Sequence, residues 1–271
     1  MQWVLQDFED TIRLASVLER LGLPYSLHKV VPFVGDLVPE PEIADPNNVI
    51  LFGSYTLRHF AARHGLRPGT FVLRPFLGEV PWRPFLLNGE GIRTMPLQDV
   101  PTQVAEDGRA WFLRPAADGK EVAGRVMGAS EIRALAAQVL ALSDDEIPRG
   151  SLRHDTELLL APPARIFKEW RVWVVNDRVV SWSLYKEGTR VIYRAEIDDD
   201  ARAFAEQVIA ANPGYAPAYV LDICRAEAGL RLLETNCINA AGFYAADLNA
   251  LVAALEECAT GLRLTSRHRP R

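Results

Sequence analysis

Cysteines are scarce in this sequence, and it contains no long apolar run. The three cysteines, Cys224, Cys237 and Cys258, are odd in number and match no zinc-binding spacing, so we expect buried free thiols in a reducing compartment. No apolar stretch approaches the roughly 20 residues that cross a bilayer. The first residues also lack the basic and then apolar segments of a secretory signal. These absences predict a cytoplasmic protein that has no membrane partner.

A marked excess of positive charge is missing as well. The net charge is −5 and the pI is near 5.6, which argues against a general nucleic-acid partner. The 271 residues are 49% hydrophobic and 24% charged, an ordinary globular composition that suffices for one large domain or two modest ones. A local phosphate site stays compatible with this balance, because net charge does not describe a single pocket.

The N-terminal third predicts strands that alternate with helices. Apolar residues at helical spacing predict a helix over residues 8–21 with Asp7 as its N-cap. The apolar run 49–52 predicts a buried strand that ends at Gly53 and Ser54, before a second helix. Such a turn exposes backbone N–H groups that suit an anion or a carboxylate, which makes Ser54 a candidate substrate contact. The alternative is a plain strand-to-helix turn in which Ser54 is the N-cap.

The rest of the chain predicts an irregular segment and then antiparallel strands. Residues 66–105 are rich in Pro, Gly and Arg and show weak periodicity. Asn176 and Asp177 are typical of a two-residue hairpin turn. Strands are predicted at 111–114, 157–161, 171–175, 178–182, 189–197, 218–224 and 230–236, and helices at 130–142 (capped by Ser130), 199–211 and 247–260. This order predicts an α/β region followed by an α+β region, with a flexible basic tail over 263–271.

The hairpin from Ala218 to Asn236 is the most informative segment. If residues 227–229 form a three-residue loop, counting outward pairs Asp222 with Glu234. Facing residues of an antiparallel pair project to one side of the sheet, and Asn236 joins them two positions along. Opposed carboxylates repel each other unless a cation neutralises them, and magnesium prefers such oxygen ligands together with phosphates. The alternative is an exposed face on which the charges are hydrated.

These residues resemble a known family. Asp222, followed on the next strand by Glu234-Thr235-Asn236, resembles the metal-binding strands of the ATP-grasp superfamily. The narrower resemblance is to a clade of small phage and bacterial ligases named for two arginines and a lysine in the nucleotide site. It implies two α+β lobes whose antiparallel sheets hold ATP between them. A small α/β pre-ATP-grasp region would occupy residues 1–105 and the ATP-grasp domain residues 106–262.

The resemblance implies nucleotide contacts ahead of the metal strands. Arg114 falls where a basic residue contacts the phosphates, and Lys120 falls in the loop that covers them. The strand with Leu160 and Ala161 falls where the backbone of the family meets adenine. An exposed strand position is the alternative for Arg114.

Three further residues complete the implied nucleotide site. Glu169 and Arg171 fall in a Glu-x-Arg stretch near the ribose and phosphates, and Lys186 falls where another phosphate-facing lysine is expected. Arg171 and Lys186 are the candidate catalytic residues, because they would neutralise charge on the transferred phosphoryl group. Surface positions are again the alternatives for both.

The implied activity is an ATP-dependent carboxylate–amine ligase that forms an amide through an acylphosphate, with Mg²⁺ on Asp222, Glu234 and Asn236. The loop after these strands would help to hold the acceptor, so Asn239 and Gly242 are candidate substrate contacts. A kinase of a small-molecule or peptide acceptor and a non-catalytic nucleotide-binding protein are the alternatives. Neither the substrates nor the oligomeric state is fixed, although the superfamily often forms dimers.

Overall fold

The computed structural model divides into two compact units, and two separate segments of the chain form the first of them. Met1–Phe85 and Ile166–Arg271 form the first unit, and Leu86–Arg165 form the second. The structure describes residues 1–32, 34–87, 89–116, 123–148 and 150–267. Lys120, a predicted phosphate contact, lies outside the described residues.

A five-stranded, mainly parallel sheet comes first in the first unit. Its strands are β1 (Gln2–Gln6), β2 (Tyr25–Val30), β3 (Leu37–Val38), β4 (Val49–Phe52) and β5 (Pro68–Gly69), in the order β3-β2-β1-β4-β5. Helix α1 (Glu9–Arg20) follows β1, and helix α2 (Leu57–Arg63) follows β4. The predicted strand and both predicted helices are therefore present.

The predicted cap of α1 is wrong, because Asp7 lies one residue before the N-cap position. The Asp7 N–H donates to the carbonyl of His28 at 2.7 Å, which continues the pairing of β1 with β2. Phe8 holds the N-cap position with an extended backbone instead. The hydroxyl of Thr11 accepts the N–H of Phe8 at 3.4 Å and so closes the first turn.

The second unit contains a four-stranded antiparallel sheet. Its strands are β6 (Arg93–Pro96), β7 (Ala110–Pro115), β8 (Arg125–Gly128) and β9 (Glu157–Ala161), in the order β6-β9-β7-β8. Helix α3 (Val100–Gln103) and helix α4 (Ala129–Leu140) belong to the same unit, and α4 packs in one core with Leu113, Leu158 and Leu160. The N-cap of α4 is Gly128 rather than the predicted Ser130, and the Glu131 carboxylate accepts the Gly128 N–H at 2.7 Å.

A second sheet of the first unit is antiparallel and begins after Arg165. Its strands are β10 (Ile166–Val175), β11 (Arg178–Glu187), β12 (Arg190–Arg194), β13 (Ala218–Ala226) and β14 (Gly229–Asn236), in the order β12-β11-β10-β13-β14. Helix α5 is Asp199–Ala211 and helix α6 is Leu248–Arg267. Asn176 and Asp177 form the predicted hairpin turn with φ of 49° and 56°. Because α6 continues through Arg267, the first residues of the predicted flexible tail are helical.

One core joins the two sheets of the first unit. Trp3 and Leu5 of β1 belong to it together with Trp173 of β10, Val220 of β13 and Leu251 of α6, and all are buried. The polar residues of the candidate site continue the same face of β10 and β13, two positions beyond Trp173 and Val220. The core therefore supports the strands at the point where their side chains become charged.

The hairpin β13–β14 has the predicted pairing of carboxylates but not the predicted loop. Ala226 pairs with Gly229, so the loop has two residues and not three, and Gly229 adopts a positive φ of 93°. A register shift between Asp222 and Ile223 then places Asp222 opposite Glu234. The extra residue in β14 is Leu233, a bulge that moves the later pairs by one position.

Cys224, Cys237 and Cys258 are buried free thiols, as predicted. In the part of the chain that the structure describes, none of the helices combines the length and apolar character that crossing a membrane requires.

Candidate active site

The three predicted metal ligands lie together on the paired strands β13 and β14. The side-chain Nδ2 of Asn236 donates to Oδ2 of Asp222 at 3.0 Å and to Oε1 of Glu234 at 3.1 Å. Asp222 and Asn236 are each only 1% exposed. An amide N–H group therefore lies between two carboxylates, where it lowers their mutual repulsion.

Asn236 also supplies the observation that tests whether this group fits a cation. Its Oδ1 is buried, and no donor among the described residues reaches it. A buried oxygen without a partner is costly, and a cation would remove that cost. Two carboxylates and an amide oxygen are ligands that Mg²⁺ accepts, so the residues fit the ion that the family implies.

Arg171 of β10 holds Asp222 through a two-point contact. Its Nε donates to Oδ1 at 2.9 Å and its Nη2 donates to Oδ2 at 2.7 Å. Their side chains are 8% and 1% exposed. Burial opposes the charge on Arg171, but the Asp222 carboxylate outweighs it and raises the pKa of Arg171 above its ordinary value. The guanidinium therefore stays charged and neutralises Asp222.

A second ion pair lies two residues before Arg171 on the same strand. Lys186 of β11 donates from Nζ to Oε1 of Glu169 at 2.7 Å, and the Tyr185 hydroxyl donates to Oε2 at 2.6 Å. Burial, and then the charges of Asp222 and Glu169, raise the pKa of Tyr185 well above its ordinary value. The phenol therefore remains a protonated donor, and both oxygens of Glu169 are occupied.

The predicted substrate residue Asn239 is tied to the N-terminal sheet. Its Nδ2 donates to the carbonyl of Leu51 at 2.7 Å, and its Oδ1 accepts the N–H of Phe71 at 2.8 Å. The carbonyl of Asn239 accepts the N–H of Gly53 at 2.9 Å. Three segments of the chain thus meet at one side chain that is 3% exposed. A substrate contact of Asn239 stays a prediction.

Ser54 also makes contacts within the protein. Its N–H donates to Oε1 of Gln6 at 2.7 Å, and its hydroxyl lies 2.8 Å from that of Thr56. The N-cap alternative is wrong, because Thr56 holds the N-cap position of α2. Gly53 has a φ of 155°, and a Cβ there would lie 2.5 Å from Cβ of Gln6, so the turn needs glycine. A substrate contact of Ser54 stays a prediction.

Gly242, the third predicted substrate residue, lies against Arg171. The Gly242 carbonyl accepts Nη1 of Arg171 at 3.4 Å. Nearby, the ring centroid of Tyr244 lies 4.7 Å from Cζ of Arg171. The sequence indicated neither Tyr244 nor Tyr185. Tyr185 lies at a register shift in the pairing of β10 with β11, where the alternation of side chains along the strand fails.

The second unit places two of its predicted residues on one face. Arg114 pairs with Leu159, and Ala161 pairs with Phe112, on the side of the sheet opposite Leu113 and the α4 core. The Leu160 side chain belongs to that core, so only its backbone remains for the predicted adenine contact. A Cβ on Gly124 would lie 2.5 Å from the Phe112 ring, so glycine permits close packing of the chain against that ring.

A family model of the ATP-grasp domain matches residues 96–255, which is more than half of the 271 residues. It describes family 3 of the clade that is named for two arginines and a lysine. The chain belongs to this ATP-grasp family. No curated protein is significantly similar to it in sequence. The predicted superfamily and the predicted clade are therefore confirmed.

Solved structures show that this ATP-grasp protein has the predicted fold over nearly its whole length. D-cycloserine synthetase DcsG is 13% identical with a TM-score of 0.60, covering 96% of this chain and 100% of its own. ATP-grasp ligase PsnB, complexed with a minimal precursor, is 16% identical with a TM-score of 0.56, covering 95% and 99%. D-alanine–D-alanine ligase from Bacillus anthracis, complexed with ATP, is 8% identical with a TM-score of 0.59, covering 98% of each chain. At such identities the likeness establishes the fold alone.

Proposed function

We propose that this ATP-grasp protein is a Mg-ATP-dependent ligase that joins a carboxylate to an amine through an acylphosphate. The observation that carries the proposal is the cluster in which the Asn236 amide nitrogen donates to Asp222 and Glu234 while its own Oδ1 is left without a partner, with Arg171 beside it. Family membership supports ATP as the nucleotide. The names of the three similar structures, a synthetase and two ligases, support bond formation as the outcome.

Asp222, Glu234 and Asn236 would hold the magnesium ion, which when bound supplies positive charge to the phosphates. Arg171 and Lys186 would add fixed positive charge where negative charge develops during transfer, which is the main demand of phosphoryl transfer. Each of them is already oriented by a carboxylate, Asp222 or Glu169. A positively charged side chain that is already held in place needs less reorganisation when the reaction begins.

The reaction has two balanced steps. A carboxylate oxygen of the first substrate bonds to the γ-phosphorus of ATP, the bond between that phosphorus and the leaving oxygen breaks, and ADP departs. The amine of the second substrate then adds to the acyl carbon, loses a proton and displaces inorganic phosphate. The residues of this site provide charge and position, and no side chain needs to form a covalent intermediate.

The acceptor class extends from small amino acids to peptides. One of the PsnB structures contains a precursor peptide, and another similar structure is a D-alanine–D-alanine ligase. Gly242 supports an acceptor near the loop after β14, because it contacts Arg171 directly. Ser54 supports it less, since its N–H already has a partner.

Trapping with hydroxylamine tests the proposal. The protein is incubated with Mg-ATP and a panel of amino acids, dipeptides and peptide carboxylates, and ADP, phosphate and hydroxamate are measured. A ligase gives hydroxamate and phosphate only when its carboxylate is present, because hydroxylamine intercepts the acylphosphate. A stable phosphorylated acceptor that does not react with hydroxylamine would identify a kinase. ATP binding without turnover on any acceptor would favour a non-catalytic protein.

A further inference from the structure

Tyr244 has a backbone conformation that is unusual for a bulky residue. Its φ is 49°, in the left-handed region that glycine and asparagine adopt more readily. Such strain persists where neighbouring contacts impose it, and it concentrates at functional sites. Arg13 of α1 donates from Nη1 to the Tyr244 carbonyl at 2.8 Å and holds the strained backbone in place.

The Tyr244 ring lies in a stack of tyrosines beside the guanidinium of Arg171. Its centroid is 4.7 Å from that of Tyr193, with 7° between the planes, and 5.4 Å from that of Tyr185. Cζ of Arg171 lies 4.7 Å from the Tyr244 centroid and 5.7 Å from the Tyr185 centroid. Such distances allow cation–π attraction, which is stronger where water is excluded.

Asp222 and Tyr244 restrain the guanidinium in different ways. Asp222 binds the edge that carries Nε and Nη2. Among the described residues, the remaining nitrogen, Nη1, makes one long contact of 3.4 Å to the Gly242 carbonyl, so its two N–H groups keep donor capacity. A ring packed 4.7 Å from Cζ limits the movement of the guanidinium and so helps to fix the direction of Nη1.

We propose that Tyr244 is a positioning residue that acts through Arg171. The strained loop presses its ring onto the guanidinium, so that Nη1 is held in the orientation needed for the anion of the reaction. The inference rests on the proposed function, because it assumes that Arg171 serves the transferred phosphate or the acceptor carboxylate. Tyr193, the outer ring of the stack, is 57% exposed.

A double-mutant cycle tests whether Tyr244 acts through Arg171. Tyr244→Asn tolerates the left-handed backbone and removes the ring, and Tyr244→Phe keeps the ring. We expect Tyr244→Asn to lower kcat about tenfold with little change in the KM for ATP, and Tyr244→Phe to stay within about twofold of the wild type. In an Arg171→Lys background, Tyr244→Asn should lower kcat further by less than about twofold, because the guanidinium that the ring contacts is already absent.

Tyr193→Leu is the matched control. It removes a ring of the same stack that does not cover Arg171, so its effect on kcat should be small and the same in both backgrounds. An equal, tenfold loss from Tyr244→Asn in both backgrounds would overturn the proposal. A Tyr244→Phe variant as poor as Tyr244→Asn would also overturn it, since the hydroxyl and not the ring would then matter.

A second readout does not depend on turnover. Nitrogen-15 NMR follows exchange of the Arg171 Nε–H with solvent in the wild type and in folded Tyr244→Asn. We expect faster exchange in Tyr244→Asn and unchanged exchange in Tyr193→Leu, and equal exchange in all three proteins would contradict the positioning role. If the wild type turns over no acceptor, the proposed function fails, whereas this comparison still decides the role of Tyr244.

Discussion

Arg171 and Asp222 form a buried, two-point ion pair across neighbouring strands, with N–O distances of 2.9 and 2.7 Å. A second pair, Glu169 with Lys186, lies beside it, and its lysine is 38% exposed. The two pairs place one shielded cation and one accessible cation on the same sheet. The removal of one partner should therefore have very different consequences in the two cases.

Asp222→Asn should damage both stability and function. It leaves the Arg171 guanidinium buried without a counter-ion, a change that typically costs about 3–5 kcal/mol of unfolding free energy. Glu234→Gln should cost much less, because Glu234 is only partly buried. Both variants should lose Mg-dependent binding of an ATP analogue. Urea unfolding and titration calorimetry measure the two properties separately.

Asp200→Asn is the matched control for these carboxylate changes. Asp200 pairs with Arg225 at the surface, at 2.7 Å, away from the proposed ligands. It should leave analogue binding unchanged and alter stability little. If Asp222→Asn and Glu234→Gln both kept Mg-dependent binding and turnover, the assignment of the metal site would be wrong.

Lys186→Met should lower activity while leaving stability nearly unchanged. An ion pair with one partly exposed partner contributes about 0–1 kcal/mol, so the protein should stay folded. Loss of a cation aimed at developing charge typically lowers kcat by about 10²–10³-fold. Lys168→Met is the control, because Lys168 pairs with Asp198 at 3.0 Å outside the site. Equal kcat in the two variants would exclude a catalytic role for Lys186.

Asn239→Ala should destabilise the first unit without weakening acceptor binding. The change leaves the Leu51 carbonyl and the Phe71 N–H without the amide that now serves them. Each buried, unsatisfied group costs about 1–3 kcal/mol. Thermal unfolding measures the loss. A normal melting temperature together with a raised KM for the acceptor would contradict this structural role and would support the substrate contact that the sequence predicted for Asn239.

Because of Cys224, we expect the stability of the protein to fall at alkaline pH. Burial, and then the charge of Glu169, raise the pKa of this thiol from 9.0 to about 12. Since the folded pKa exceeds the unfolded one, its contribution is complete below pH 9 and declines as the pH rises towards 12. The decline should be on the order of 3 kcal/mol by pH 11. In urea titrations, Cys224→Ala should therefore lose less stability than the wild type between pH 9 and 11, and parallel losses would contradict this account.

The sequence predicted correctly that Asp222 faces Glu234, although it predicted the wrong turn. A three-residue loop was predicted, whereas the structure has a two-residue loop and a bulge at Leu233, and the two differences cancel at Asp222 and Glu234. The alternation of side chains predicts which residues face each other on neighbouring strands only to within one position. A bulge shifts the pairing by one residue, and a single sequence gives no clear signal of a bulge.

Other features depend on tertiary contacts that local patterns do not contain. The central strand β1 was missed because its buried core is only Trp3, Val4 and Leu5, too short a run for a periodic pattern. The positive φ of Tyr244 belongs to a residue type that rarely adopts it, so no turn signal exists there. By contrast, Asn176-Asp177 was predicted correctly, because both residue types favour the required backbone.

A crystal structure with Mn²⁺ and a non-hydrolysable ATP analogue tests the central claim most directly, since manganese replaces magnesium and gives an anomalous signal. We predict an anomalous peak bound by carboxylate oxygens of Asp222 and Glu234 and by Oδ1 of Asn236, next to the analogue's phosphates. An ordered analogue with its metal held by other residues, or with no metal at these three, would contradict the proposed site.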